Sequence, residues 1–414
     1  MSDALDQRVV TRIVGLLSLG GFASSAAMRV CDPMLPRFAD DFQASLAAVA
    51  SVNTGFAISY GLLQLGIGPL GDRLGKFRVI TVAMMLAALA SIACALAPSL
   101  SGLVAARVLA GGMGGAIIPV AFAWIGDQVP YEARQSVLAR VMSGSLIGVI
   151  CGQLIGGICV DTVGWRWAFV VLAALFGIVA ILMRASPAAR LRPAPSMAAG
   201  DTGLRSVLRN YASIARPPWS RMILGAVMIE ALIMYGGLSF IPTTLHDRFG
   251  IPLWQAAMIS AVMGVGGFVY TLLAARLISR LGERRLVIVG GTMVCAGLML
   301  VAVAPYPWLA AVGTGALGLG FYGFHNTLQV HGTQLSPTHR GMGVALFALS
   351  LFIGQSIGVS LISVAVTLVG FTLSLAGAAL AFALLTLWFS LALARHHAAQ
   401  IAMQGTTDSG IASR

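Results

Sequence analysis

Apolar stretches of bilayer-crossing length follow one another along nearly the whole chain, and polar residues gather in the gaps between them. Within each stretch the apolar positions are continuous rather than alternating, which predicts helices and argues against the strands of a β-barrel. At 1.5 Å per residue, about 20 residues cross a ~30 Å hydrocarbon core. Twelve spans are predicted, near residues 12–36, 46–70, 78–97, 101–125, 136–160, 165–186, 220–244, 254–278, 285–305, 308–331, 341–367 and 370–395. The expected fold class is an all-α polytopic membrane protein. Arg8 and Arg12 precede the first span as they would a signal peptide. That span is too long for a signal's apolar region and a second follows directly, so it is read as retained.

One connection is long. Residues 187–219 begin Pro-rich and become strongly basic. Within them Leu204, Val207, Leu208, Tyr211 and Ile214 recur at helical spacing, with Arg205 and Arg209 between. Asp201 or Thr202 is placed to cap the start and Pro217-Pro218 to end it. This predicts an amphipathic helix lying on the cytoplasmic leaflet. The expected organisation is an N-terminal six-helix bundle (1–186), this linker (187–219), a C-terminal six-helix bundle (220–395) and a cytoplasmic tail (396–414). The halves echo one another. Arg73-Leu74-Gly75 recurs as Arg280-Leu281-Gly282, 207 residues on, and Gly152-Gln153 with Gly156 recurs as Gly354-Gln355 with Gly358, 202 residues on. Matches in equivalent spans predict a duplicated unit, with pseudo-symmetric bundles facing each other across a central cavity.

Charge sharpens the picture. The chain is 58% hydrophobic and 10% charged, against about 25% charged in soluble domains. Of 26 Lys and Arg, 21 fall on the side of the N-terminus, while the opposite side has Arg37, Arg166 and Arg248. This positive-inside bias predicts that both termini are cytoplasmic. The net charge of +12 therefore reports topology, and no nucleic-acid partner is expected. Trp165, Trp167, Trp219, Trp254 and Trp308 fall near span ends, where interfacial belts form. The five cysteines lie in or beside spans without metal-ligand spacing and read as small packing residues. No metal or other cofactor is expected. There is no nucleotide loop, metal cluster or nucleophile elbow, so the chain does not read as an enzyme, and ion gradients are the expected energy source.

"GPLGDRLGK", between spans 2 and 3, places Gly68, Leu70, Asp72, Arg73, Gly75 and Lys76 in one tight turn. It resembles the signature of the major facilitator superfamily at the same loop. Span 4, "LVAARVLAGGMGG", resembles a family pattern with an intramembrane arginine, here Arg107, although Ala110 stands where the pattern has glutamine. Gly148, Gly152, Gly156 and Gly157 in span 5 resemble the glycine motif of the twelve-span drug:proton antiporters, with Gln153 in place of its proline. "DPMLP" and "GWRWAF" are also similar to family patterns. The resemblance covers essentially the whole chain. It implies a monomeric secondary transporter of the cell membrane, a proton-coupling role for Arg107, and a latch at Gly68, Asp72, Arg73, Gly75 and Lys76. Glycines at four-residue spacing share a helix face and are expected to pack tightly against the other half.

Charges inside spans are costly and mark functional candidates. They are Arg29 and Asp32 in span 1, Arg107 in span 4, Glu230 in span 7 and His325 in span 10. A carboxylate that takes a proton when buried and yields it when water arrives is what a proton carrier needs, and Glu230 lies near the midplane. Asp32 and Arg107 both belong to the outer parts of their spans, so an ion pair between them is expected, with Arg29 one turn away. The other reading of Asp32 is a solvated residue beside Pro33. His325 is placed to shuttle protons, or to pack beside Asn326. Asn53, Tyr60, Gln64, Gln153, Tyr235, Phe240, Tyr270, Tyr322 and Gln355 supply rings and polar tips suited to an amphiphilic substrate. The leading reading is proton-coupled efflux of such compounds. The alternatives are a symporter or uniporter for a specific metabolite, with Arg29, Arg107 and His325 holding an organic anion, and a non-transporting receptor on the same fold.

Overall fold

A computed structural model describes residues 7–186, 204–336 and 340–412; among these there are helices and turns and no strand. The first half comprises α1 (Gln7–Arg29), a single turn at Asp32–Met34, α2 (Leu35–Phe42), α3 (Leu46–Val49), α4 (Ser51–Leu74), α5 (Lys76–Ala95), α6 (Leu100–Gln128), α7 (Tyr131–Thr162) and α8 (Trp165–Arg184). The linker helix α9 (Leu204–Ala215) leads to α10 (Pro218–Phe249), α11 (Leu253–Val303), α12 (Pro307–Thr333) and α13 (Arg340–Ala412). Among the described residues nine helices are long and apolar enough to cross a membrane. Two of them bend at a glycine, α11 at Gly282 and α13 at Gly370. Counting their limbs separately, and adding the less apolar α12, yields the twelve spans of an all-α, two-bundle membrane fold.

The bends expose the duplication more clearly than the sequence does. Gly75 (φ 91°) and Gly282 (φ 66°) both adopt positive φ, as do Gly164 (φ 95°) and Gly370 (φ 80°). Only glycine takes this conformation freely, so one helix ends and the next starts without a loop. The first pair carries the repeated Arg-Leu-Gly; the second pair, 206 residues apart, carries a shorter match, Val163-Gly164 before Trp165 and Val369-Gly370 before Phe371.

Each half has its own apolar core. In the first, α7 lays Gly148, Gly152 and Gly156 on the backbone of Phe22 and Ala26 in α1 and of Val30 just after it. In the second, α13 lays Gly354 and Gly358 on Met228 and Leu232 of α10. These glycines therefore pack within a half, not against the other one. Gly157 alone of the predicted four meets the opposite half, at Leu253, Trp254 and Ala257. The reason is register: α1 and α7 run side by side, and residues four apart on α7 face the same ridge of α1.

The halves meet from mid-span to the face away from the termini. Ser356 donates to the Thr54 carbonyl at 3.4 Å, the Thr54 and Ser360 hydroxyls lie 3.3 Å apart, and Tyr60 packs on Phe352 at 4.6 Å. At the far end the Trp254 N–H donates to Asp161 Oδ2 at 2.7 Å. On the termini's face, α9 is tied to the first half by Tyr211 Oη donating to the Leu65 carbonyl at 2.9 Å. The amphipathic linker helix is thus present where its spacing predicted, while Asp201 and Thr202 lie outside the described residues.

Three further expectations change. Trp165, at the start of α8, faces protein: it is buried against Phe38 and Phe169, and its indole N–H donates to Asp41 at 2.8 Å. Trp219 stacks on His396 at 3.6 Å, whereas Trp167 and Trp308 are exposed. Residue 395 is not a helix end, because α13 continues through the expected tail to Ala412.

Candidate functional site

The break after α1 builds the first part of the site. Pro33 cannot continue the backbone ladder, and the chain turns through Asp32–Met34. This folds Asp32 back on Arg29, whose Nη1 lies 3.2 Å from Asp32 Oδ2 with both side chains buried. Asn53 of α4 donates to Asp32 Oδ1 at 2.9 Å. Asp32 is therefore an enclosed ion-paired carboxylate, not a solvated one.

The expected Asp32–Arg107 ion pair is not formed. Arg107 Nη1 donates to the Ala27 carbonyl at 2.8 Å, and its guanidinium lies 3.9 Å from the centre of the Phe56 ring. Ala27 is in the last turn of α1, where carbonyls lack helical partners and the dipole favours a cation. Arg107 thus closes the end of α1, and Arg29, three residues from Asp32, takes the carboxylate.

The second half supplies another buried acid. Glu230 of α10 is fully buried, and its Oε2 lies 2.8 Å from His325 Nδ1 of α12. The His325 ring stacks on Phe321 at 5.1 Å and packs near Phe347 of α13. The sequence reading held both residues as candidates but did not join them. They stand 95 positions apart, and only the packing of α10 against α12 brings them together.

Between the two pairs stands Tyr235. Its ring faces the Arg29 guanidinium at 5.4 Å and meets Phe321 edge-on at 5.7 Å. Tyr60 is held at 3.1 Å by the Ser24 hydroxyl, and Gln64 is half-buried one turn further along α4. Phe240 packs into the core of the first half. Tyr270 is buried on α11, and Tyr322 lies against Gly267 of the same limb. Gln153 and Gln355, equivalent in the repeat, are both buried, and the Oε1 of each has no hydrogen-bond partner. The same holds for Arg29 Nε and Nη2, Arg107 Nε and Nη2, and Glu230 Oε1. Buried polar atoms normally have partners, so each of these positions suits a water or a polar group of a solute.

The stretch expected to form a tight turn is helical through Leu74, and the break comes at Gly75. Lys76 Nζ lies 2.5 Å from Asp127 Oδ2 at the end of α6. Arg134 of α7 donates to the carbonyls of Gly126 and Val129. Both ties stay inside the first half. Asp127 was missed, because its partner lies 51 residues away. Arg73 is exposed, and the side chains of Gly68 and Asp72 lie outside the described residues. At the equivalent bend of the second half an acid stands in the lysine's place: Glu283 lies 3.5 Å from His331 and 3.2 Å from His397.

Comparison with known proteins agrees with this architecture. The family model described as Major Facilitator Superfamily matches residues 17–359. The multidrug resistance protein B homolog of Mycobacterium tuberculosis is 24% identical over 87% of this chain and 77% of its own. The uncharacterized MFS-type transporter YwfA of Bacillus subtilis is 23% identical over 83% of each chain. Among solved structures, a bacterial homolog of the human lysosomal transporter Spinster, inward-facing and unoccupied, superposes with a TM-score of 0.75 at 18% identity, covering 94% of this chain and 98% of that one. The nucleoside transporter NupG gives 0.72 at 12% identity, over 91% and 97%.

Proposed function

Because the chain belongs to the Major Facilitator Superfamily, and is therefore a membrane transporter of small molecules and not an enzyme, we propose that it exports amphiphilic compounds in exchange for protons. Transport proceeds by alternating access, with the bundles 1–186 and 220–395 rocking about the site and both termini in the cytoplasm. The observation that carries this reading is the fully buried Glu230 hydrogen-bonded to His325 at the centre of the second half. The buried Glu230–His325 pair offers one proton a place inside the hydrocarbon, and exposing it to one side of the membrane at a time lets the proton gradient set loading and release. Opening to the outside loads the proton; opening to the cytoplasm releases it and frees Glu230 for the substrate. Asp32, held by Arg29 and Asn53, is a second group of the same kind in the first half.

Two further features support the reading. Contacts between the halves run from mid-span to the face away from the termini, as an inward-open arrangement requires. Relatives named multidrug resistance proteins favour efflux of varied compounds, and the aromatic rings of Tyr235, Phe321 and Tyr322 suit such cargo. The test uses liposomes holding purified protein and a pH-sensitive dye, with a panel of lipophilic cations, neutral amphiphiles and organic anions. Solute-driven proton movement by the wild type, abolished in Glu230→Gln, is expected. A second reading, transport of an organic anion, is favoured by the unpartnered guanidinium nitrogens of Arg29 and Arg107. It requires that anions alone drive the signal and that Arg107→Gln abolish it. No response to any probe overturns the exchange reading.

A further inference from the structure

The two buried acid pairs belong to different halves, and one side chain touches the surroundings of both. Arg29, paired with Asp32, presents its guanidinium to the Tyr235 ring at 5.4 Å. That ring meets Phe321 edge-on at 5.7 Å, and Phe321 stacks on His325 at 5.1 Å with 17° between planes. His325 in turn bonds Glu230 at 2.8 Å. Tyr235 and Glu230 share α10, so a shift of this helix against α1 moves both. The charged and titratable groups around the phenol are Arg29 from α1, Tyr322 from α12 and Glu230 on its own helix, and those around Asp32 are Arg29, Cys31 and Arg107 from α6.

We infer that Tyr235 is a positioning residue that couples the two acid pairs, its ring reading the charge state of Asp32 through Arg29 and passing it to the aromatic seat of His325. A guanidinium is drawn to the negative face of an aromatic ring, most strongly where water is excluded. With Asp32 ionised, Arg29 is shared between carboxylate and ring. When Asp32 takes a proton the carboxylate's pull is lost, and the ring becomes the stronger attraction. Arg29 then leans on Tyr235 and draws α10 towards α1. The pull displaces Tyr235 against Phe321, and so changes how His325 is held against Glu230. Protonation in one half is thereby felt in the other without direct contact between the acids. This rests on the reading of both acids as proton sites; it adds the element that makes them one unit, so that the halves do not load and unload independently.

The experiment is a coupling cycle read on the carboxyl groups themselves. Infrared difference titration of the purified full chain in vesicles follows the protonated-carboxyl band of Glu230, identified by its loss in Glu230→Gln. In otherwise wild-type protein, Asp32→Asn is expected to move the Glu230 midpoint by about one pH unit, a roughly tenfold change in proton affinity. The displacement is expected to persist with Tyr235→Phe, which keeps the ring, and to vanish with Tyr235→Leu. Fluorinated phenylalanines at position 235 drain the ring face without changing its shape, and are expected to shrink the displacement stepwise; they serve where the leucine variant does not fold. A displacement unchanged by fluorination, or absent from the start, overturns the inference. The dye-loaded liposome assay is run in parallel. Carboxyl coupling without proton movement by any probe would sink the transport reading alone, and proton movement without carboxyl coupling would sink this one alone.

Discussion

Taking away the Asn53 amide leaves Asp32 Oδ1 buried with no donor. Asn53→Leu, which keeps the branched outline of the side chain but replaces both polar atoms with methyls, is expected to cost about 1–3 kcal/mol, the penalty for an unmet buried acceptor, read as a lowered Tm in detergent. Glycines give a cleaner contrast at the same scale. A Cβ at Gly358 would press on the Leu232 backbone, whereas one at Gly225 meets nothing within 4 Å. Gly358→Ala should therefore destabilise by about 1–3 kcal/mol through overpacking. Gly225→Ala, on the same bundle and in mid-helix, should be neutral or stabilise by up to about 1 kcal/mol through helix propensity. Equal effects from the two would show that the close approach of α13 to α10 is not what these positions require.

At the scale of elements, the Tyr211 hydroxyl ties the linker helix to the first half. Burial pushes the Tyr211 phenol above its ordinary value, so it remains a donor to Leu65 throughout the neutral and mildly alkaline range. A raised value means the contribution is fully present below the ordinary tyrosine range near pH ~10 and is lost only as pH climbs past it. Hydrogen exchange in α9 should therefore show constant protection between about pH 6 and 9, and Tyr211→Phe should reduce that protection at every pH. Protection that fades within this window in the wild type would mean that something else holds the helix. The Lys76–Asp127 pair makes a different case. Asp127 is half exposed, so Lys76→Met should cost no more than about 1 kcal/mol. A large loss of stability would mean that the pair does more than tie α5 to α6.

At the scale of the whole molecule, closure of the far face depends on small residues where the halves touch. Gly157 admits the backbone of Trp254, and Asp161 accepts that residue's N–H. Gly157→Leu inserts four carbons into this seam and should shift the population towards the arrangement open on the far face. Spin labels near the far ends of α7 and α11 would report it as a longer mean distance, while each half keeps its internal distances. Unchanged distances would mean that this seam does not hold the face shut.

How much of this was legible beforehand follows from the range of each signal. Spans and the linker helix come from local composition and periodicity, so they could be read directly: a ~30 Å hydrocarbon slab imposes its length on any chain that crosses it. The intramembrane charges were legible for the same reason, because nothing in hydrocarbon tolerates Arg29, Asp32, Arg107 or Glu230 without use. Which charge meets which was not. Asp32 chose Arg29 over Arg107 because a proline turn folds the chain back by three residues and an open helix end claims Arg107. Glu230 and His325 met because α10 packs on α12, and Lys76 found Asp127 through α5 against α6. The four glycines were recognised as packing residues, but Gly148, Gly152 and Gly156 were assigned to the wrong seam and only Gly157 meets the other half, since periodicity identifies a face and never its neighbour. By itself the sequence determined that the chain spans a membrane as two related helical bundles, because hydrophobic length and charge bias act residue by residue. Only the tertiary structure decided the partners of each buried charge, because those depend on distances between helices that no local pattern encodes.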